Sequence, residues 1–318
     1  MANKGRQGSG QKEEAWMRML PPELTSALGR LELLARMKKE GGVTGKHSSP
    51  HKGYSVEFAE HRPYVHGDDL RDLDWRAFGK SDRFYIKQYS EETNLRAMLL
   101  VDASGSMRFA GREAASLDGK RLSKFDYARH LAAALAYLLI RQQDAVGLVT
   151  FDTKVRSYHR ALSRPSQVRM ILEELHRTEP GEDTAAAQVF HDIAERIPRR
   201  GLVVIISDLF DDAAAIQKAL HHFRYRSHEL IVFHLMAEEE LSFPFRKFMT
   251  FKNLEGEGNL LKVDPLALRA QYLARVREFL EAIERACGQM KADYVEVNTK
   301  TPVAETLSRY LAGRRSVH

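Results

Sequence analysis

Asp102, Ser104 and Ser106 place a carboxylate and two hydroxyls on alternate residues where an apolar run, Met98 to Val101, stops. Such a run reads as a buried strand. Its abrupt end in small polar side chains sets their oxygens at the carboxyl edge of a sheet, where open α/β sheets bind ligands. Short oxygen donors suit a hard cation such as Mg²⁺, which prefers near-octahedral oxygen ligands and keeps some of its waters. Taken alone, the spacing equally describes a Ser-rich turn that caps the next helix. Two further segments add oxygens. Thr184 stands at the head of a helical pattern, and Ser207 and Asp208 close a second apolar run, Leu202 to Ile206. Asp102 and Asp208 would neutralise a divalent ion, while the hydroxyls of Ser104, Ser106 and Thr184 would coordinate it without adding charge. Mg²⁺ is the expected ion, with Mn²⁺ or Ca²⁺ as substitutes, and the remaining position falls to water or to a partner's acidic residue. This chemistry is recognition rather than hydrolysis: no His, Glu or Lys in these segments is placed as a general base for a metal-bound water.

The elements that must position these residues follow from periodicity. From Leu95 onward strands and helices alternate: strands at 95–101, 145–151, 154–160, 202–207, 229–235 and 293–297, and helices at 120–141, 165–177, 184–196, 212–223, 265–287 and 302–311. The third strand is close enough to the second to pair antiparallel with it. Strands separated by helices predict a doubly wound α/β fold, a mainly parallel sheet covered on both faces, with right-handed crossovers. Residues 238–263 are a polar and aromatic excursion with no assigned element. Ahead of this domain (95–313), residues 1–40 read as a flexible start and an amphipathic helix from Glu23 to Lys39, with Pro21-Pro22 breaking the run. Residues 41–94 read as a strand-like, highly charged extension. Asp183 is expected to cap the helix at Thr184, and Asp211 and Asp212 to face solvent at the next helix start.

The acidic segment Gly67-Asp68-Asp69-Leu70-Arg71-Asp72-Leu73-Asp74-Trp75 is the rival site. Its carboxylates Asp68, Asp69, Asp72 and Asp74 could hold a hydrolytic metal. Arg62, Arg71 and Arg76 lie equally close, however, and Arg–Asp pairing explains the composition without chemistry. Asp68, Asp69, Arg71, Asp74 and Trp75 are therefore expected to form a structural ion-pair cluster or a contact surface for a partner. Other motifs fail on spacing. Glu40 occupies the first glycine position a phosphate loop would need before Gly45-Lys46, and His228-Glu229 with His234 is too long for a zinc-binding pair.

Composition bounds the class. The chain has 318 residues, 43% hydrophobic and 29% charged, which predicts an ordinary globular protein with a large core. Its formal charge of +6 is spread among interleaved acids, with no aromatic-basic stripe, so no nucleic acid partner is expected. The longest apolar stretch, Leu131 to Ile140, is too short to span a bilayer. One cysteine, Cys287, and a start without an apolar signal core point to the cytoplasm.

The ordered set Asp102-x-Ser104-x-Ser106, Thr184 and strand-end Asp208 resembles the metal-ion-dependent adhesion site of von Willebrand factor A domains. Over residues 41–313 the chain also resembles a bacterial family of unknown function that carries such a domain. The carrying motifs are Ser55-Val56-Glu57-Phe58, Arg62-Pro63-Tyr64, Gly67-Asp68-Asp69-Leu70-Arg71, Asp74-Trp75 and Ile206-Ser207-Asp208-Leu209. The resemblance implies a non-enzymatic cytoplasmic adaptor or co-chaperone that works with a MoxR-type AAA+ ATPase on a client protein.

Overall fold

The computed structural model describes residues 19–29, 56–64, 74–81, 83–91, 95–117, 119–181, 183–198, 200–252, 254 and 260–315. The chain divides into two compact units, one of residues 1–37 with 95–318 and one of residues 38–94.

The large unit is built on a six-stranded sheet. Its strands are β3 (Arg96–Asp102), β6 (Ala145–Phe151), β7 (Val155–Leu162), β8 (Leu202–Ser207), β9 (Glu229–Met236) and β12 (Asp293–Asn298). Their order is β12-β9-β8-β3-β6-β7, parallel throughout except for β7, which runs antiparallel at one edge. In the sequence order of these six strands this is 3-2-1-4-5-6, the doubly wound arrangement whose strand order reverses between the first and fourth strands. The expected fold class, doubly wound and mainly parallel, is the one found.

Sequence alternation decides which face each strand residue enters. Leu99, Val101, Val204 and Ile206 point to one apolar layer, built on α3 (Lys124–Arg141), α4 (Pro165–Arg177) and α9 (Val303–Arg315). Met98, Leu100, Val203 and Ile205 point to the other, built on α5 (Ala186–Arg196), α6 (Ala213–Tyr225) and α8 (Pro265–Gln289). Phe190 anchors the second layer, edge-on to both Phe151 and Phe223 at centroid distances of 5.3 and 6.1 Å. Cys287 is buried in that layer. Helix α1 (Pro22–Leu28) lends Leu24 and Leu28 to the first layer.

Several boundaries differ from the expected ones, each for a local reason. Helix α1 starts at Pro22 because proline, lacking an N–H and fixed in φ, suits a first helical position; residues 30–39 of the expected helix lie outside the described residues. Helix α3 starts at Lys124, not Lys120. Lys120 and Arg121 form β5, paired with β4 (Ser116–Leu117), and Ser123 caps the helix in a reciprocal box with Asp126. Helix α5 starts at Ala186, two residues after Thr184. The excursion contains a short helix, α7 (Glu238–Ser242), and an antiparallel hairpin of β10 (Met249–Lys252) and β11 (Leu260–Val263). No helix among the described residues is long and apolar enough to cross a membrane.

In the smaller unit β1 (Val56–Pro63) pairs antiparallel with β2 (Tyr85–Glu91), and α2 (Trp75–Ser81) lies between them in sequence. Phe78 stacks on Phe84 at 4.4 Å.

Candidate functional site

The site sits at the carboxyl edge of β3 and β8, the adjacent strands at which the strand order reverses. Beyond Asp102, Ala103 donates its N–H to the Phe151 carbonyl at 2.7 Å, and the chain turns into a 3₁₀ helix, Gly105–Arg108. This turn holds the Asp102 carboxylate inside. Its Oδ1 accepts the Ser104 N–H at 2.8 Å and its Oδ2 accepts the Ser207 hydroxyl at 2.5 Å. The Ser104 and Ser106 hydroxyl oxygens stand 3.1 Å apart.

After β8 the backbone reverses sharply. Leu209 adopts φ of 50°, a left-handed conformation that costs a non-glycine residue about 1 kcal/mol or more. The Ser207 hydroxyl accepts the Leu209 N–H at 2.8 Å, and Leu209 is fully buried, so side-chain packing and the hydroxyl together hold the strained turn. The turn aims Asp208 into the site, where its carboxylate bonds Ser106 and accepts the Phe210 N–H at 3.3 Å.

Thr184 stands on a third loop, where it lines an open cavity with Asp211 and Asp212. Gly181 donates its N–H to the Ala103 carbonyl at 2.5 Å, tying this loop to the one that carries Asp102. A Cβ at Gly181 would stand 2.6 Å from Asp152 Oδ2, which is why the close approach needs glycine. The Thr184 hydroxyl is buried and has no hydrogen-bond partner. Asp183 does not cap the following helix. Ala185 holds the capping position without a side-chain bond, and Asp211 crosses from the β8 loop to accept the Ala187 N–H at 3.1 Å. Asp212 caps α6, accepting the Ala215 N–H at 2.8 Å.

Three residues that sequence reasoning missed complete the site. Lys124, buried at the first position of α3, donates to Asp208 Oδ2 at 2.6 Å and to Glu240 Oε1 at 2.7 Å. His234 on β9 lies beneath, its Nε2 donating to the Asp208 carbonyl at 2.9 Å while Nδ1 meets the Tyr294 hydroxyl at 3.0 Å. The capping box Ser123-x-x-Asp126 was the available signal for Lys124, because it fixes where α3 begins. Nothing local marks Glu240 or His234.

Burial sets the charge states. It pushes the Asp102 carboxyl up to about 7, and the neighbouring Asp208 charge adds to the rise. Burial acts the same way on Asp208, but the Lys124 ammonium outweighs it and holds that carboxyl below the usual range. Burial disfavours the Lys124 charge, yet Asp208 and Glu240 together keep it protonated. Burial lowers His234 to about 4, so the ring is neutral at pH 7.

Among the described residues, no three His, Cys, Asp or Glu side chains converge on a point that could hold an ion, so a metal here needs the hydroxyls. Adjacent oxygens around an octahedral ion with ligands at 2.0–2.1 Å are about 2.9 Å apart. The Ser104–Ser106 separation of 3.1 Å is near that edge. The donor set fits a hard divalent cation. Asp208 and Glu240 share the Lys124 ammonium, while Asp102 has no cation within reach among the described residues, so a divalent ion would favour its ionised form.

The model of the family described as "Protein of unknown function DUF58" matches residues 60–281. This chain is a DUF58 protein. Similar to it are uncharacterized proteins of Mycobacterium tuberculosis (strain ATCC 25618 / H37Rv) and Mycobacterium bovis, each 28% identical over 306 residues, 92% of the DUF58 chain and 90% of the relative. Two solved structures resemble it at low identity. The BatB protein of Bacteroides thetaiotaomicron has a TM-score of 0.44 at 16% identity, covering 69% of this chain and 99% of that one. An aerotolerance-related membrane protein of Bacteroides fragilis has a TM-score of 0.40 at 14% identity, with the same coverage.

Of the rival acidic segment, Asp68, Asp69, Arg71 and Asp72 lie outside the described residues. Asp74 is buried, and its Oδ1 accepts the Ala77 N–H at 3.1 Å in the first turn of α2. Trp75 is 64% exposed and meets Phe78 edge-on at 6.4 Å.

Proposed function

We propose that this DUF58 protein is a non-enzymatic, divalent-cation-dependent protein-binding module. Ser104, Ser106 and Thr184 hold the ion, Asp102 and Asp208 support it, and a client protein supplies an acidic residue to the remaining position. The observation that carries the reading is the Thr184 hydroxyl, buried and unpartnered on a loop tied to the Asp102 turn. Buried polar atoms are as a rule hydrogen-bonded or coordinated, and an ion held by this oxygen would satisfy it. Short hydroxyl and carboxylate donors suit Mg²⁺ or Mn²⁺, hard cations that take oxygen ligands and keep some of their waters. The resemblance to von Willebrand factor A-bearing bacterial proteins adds a MoxR-type AAA+ ATPase as the cytoplasmic partner, with this chain as its adaptor or co-chaperone toward the client.

A second reading has one observation in its favour. Lys124 already neutralises Asp208, and a purely structural site would need no metal there. Cation titration of the full chain separates the two. Mn²⁺ binding followed by electron paramagnetic resonance, with Mg²⁺ as competitor, should give one site per chain, weakened about tenfold or more in Asp102→Ala and in the isosteric Thr184→Val. Equal binding by Thr184→Val and the parent chain removes the cation reading and leaves Lys124 as the resident charge.

A further inference from the structure

We infer that His191 and His222 form a second metal site, which takes a divalent transition ion such as Zn²⁺ and clamps α5 to α6. The inference does not depend on the proposed oxygen site, which uses neither residue.

The two rings come from different helices, His191 from the middle of α5 and His222 from the last turn of α6. Their immediate neighbours in sequence, Phe190 and Phe223, are fully buried and meet edge-on at 6.1 Å. Core packing therefore fixes the backbone spacing from which the histidines project. The ring centroids stand 5.3 Å apart and the Nδ1 atoms 3.1 Å apart. His191 is exposed and His222 half-buried, so solvent reaches the pair. Neither ring has another hydrogen-bond partner among the described residues, whereas both nitrogens of His234 are engaged.

Two neutral imidazoles at this spacing share one hydrogen, with one Nδ1–H donating to the other Nδ1. An ion bound to both Nδ1 atoms takes the place of that hydrogen, which moves to Nε2 of its own ring, so no proton is gained or lost. A tetrahedral ion with Zn–N bonds of about 2.0–2.1 Å holds two nitrogens about 3.3 Å apart, within a few tenths of an ångström of the present spacing. The rings need only pivot to turn both lone pairs on one point. Nitrogen ligands select Zn²⁺, Cu²⁺ or Ni²⁺, while Mg²⁺ and Ca²⁺ take oxygen.

The surrounding charge is mixed. Glu195 lies one turn beyond His191, and Lys218 and Arg226 lie one turn to either side of His222. The last turn of α6 is the negative end of its dipole, which favours a cation at His222. The ion is thus held by two nitrogens, with water in its other positions. Helices α5 and α6 leave the loops that carry Thr184 and Asp208. An open cavity of about 500 Å³, lined by their first turns, reaches His191. A clamp at this pair would tie together the two helices that follow those loops.

The chain has 13 histidines, so single variants must identify the site. Calorimetric titration of the full chain with Zn²⁺ in excess Mg²⁺ should show a site that His191→Gln and His222→Gln each weaken about tenfold or more. Co²⁺ in its place should give visible absorption bands that both variants abolish. His221→Gln, one residue away on α6, and Asp102→Ala should bind Zn²⁺ as the parent does. Circular dichroism and the melting temperature in chelator should match the parent in both variants, because neither ring lies in the core. Zn²⁺ affinity unchanged by either glutamine substitution, or no site tighter than about 1 mM, overturns the inference and leaves the pair as a hydrogen bond. Binding lost in Asp102→Ala but kept in the histidine variants also overturns it, by placing the ion among the oxygens.

Discussion

Replacing Lys124 with methionine keeps the length of the side chain and removes the ammonium that stands 2.6 Å from Asp208 Oδ2. Both side chains of this pair are only 3% exposed, so the carboxylate left behind is shut off from water and pairs with no other cation among the described residues. Removing one partner of a buried ion pair costs about 3–5 kcal/mol, because the remaining charge is uncompensated. In a domain of this size, 1 kcal/mol shifts the melting temperature by about 2–4 °C, so Lys124→Met should melt roughly 10 °C below the parent chain. The double variant Lys124→Met/Asp208→Asn leaves no lone charge on the pair and should recover more than half of that loss. Glu240 needs little rescue, since its side chain is 25% exposed and can be solvated. Under the cation reading, Mg²⁺ at about a hundred times its dissociation constant contributes about 2.7 kcal/mol to any form that binds it, and narrows the gap to the extent that the single variant, with its uncompensated carboxylate, binds it more tightly than the parent. Calorimetry or urea unfolding with and without Mg²⁺ measures each corner of the cycle. A single variant that costs less than about 1 kcal/mol, or a double variant as unstable as the single, refutes the account of this pair as a buried charge couple.

Other outcomes follow from features away from the site. Burial pushes Asp144 up to about 6, against the Leu95 N–H bond that lowers it, so the native state binds its proton more tightly than the unfolded chain. The ionised form therefore costs stability, which should rise as pH falls through 6 toward 4. Asp144→Asn, which keeps an acceptor for Leu95, should gain about 1 kcal/mol at pH 8 and nothing below pH 4 in urea titrations; no gain at pH 8 would contradict the assignment. Phe190→Ala removes a fully buried ring between Phe151 and Phe223 and should cost about 3–5 kcal/mol by denaturant midpoint. Asp212→Ala deletes the cap of α6 and should cost about 1 kcal/mol, with Asp212→Ser restoring most of it.

The sheet was legible because its strands are apolar on both faces and bounded by short polar turns. Strands β6 and β8 and helix α4 fall on the expected residues, and Asp102 closes β3 while Asp208 directly follows β8. Helix starts were less legible. At Lys124 a four-residue pairing of β4 with β5 overrode helical periodicity, and at Ala186 a carboxylate from another loop supplied the first-turn acceptor that Asp183 was expected to provide. The charge partners of the site were not legible at all. Glu240 is 116 residues from Lys124 and His234 is 26 from Asp208, and no local pattern announces a pairing made by the fold. The hairpin in the excursion was hard to read because each strand has only four residues: β10 alternates, Met249-Thr250-Phe251-Lys252, but over too short a run, and the exposed β11 does not alternate at all.

His234 links the candidate site to a distant edge of the molecule. A backbone carbonyl can only accept, so the ring must carry its hydrogen on Nε2 toward Asp208, leaving Nδ1 to take the Tyr294 hydroxyl proton. Tyr294 lies on β12, whose outer side has no neighbouring strand in the sheet. The ring works as a rigid strut between the molecule's flank and the turn that aims Asp208. A polypeptide that docked along that flank and displaced Tyr294 by an ångström would be felt at Asp208, two hydrogen bonds away.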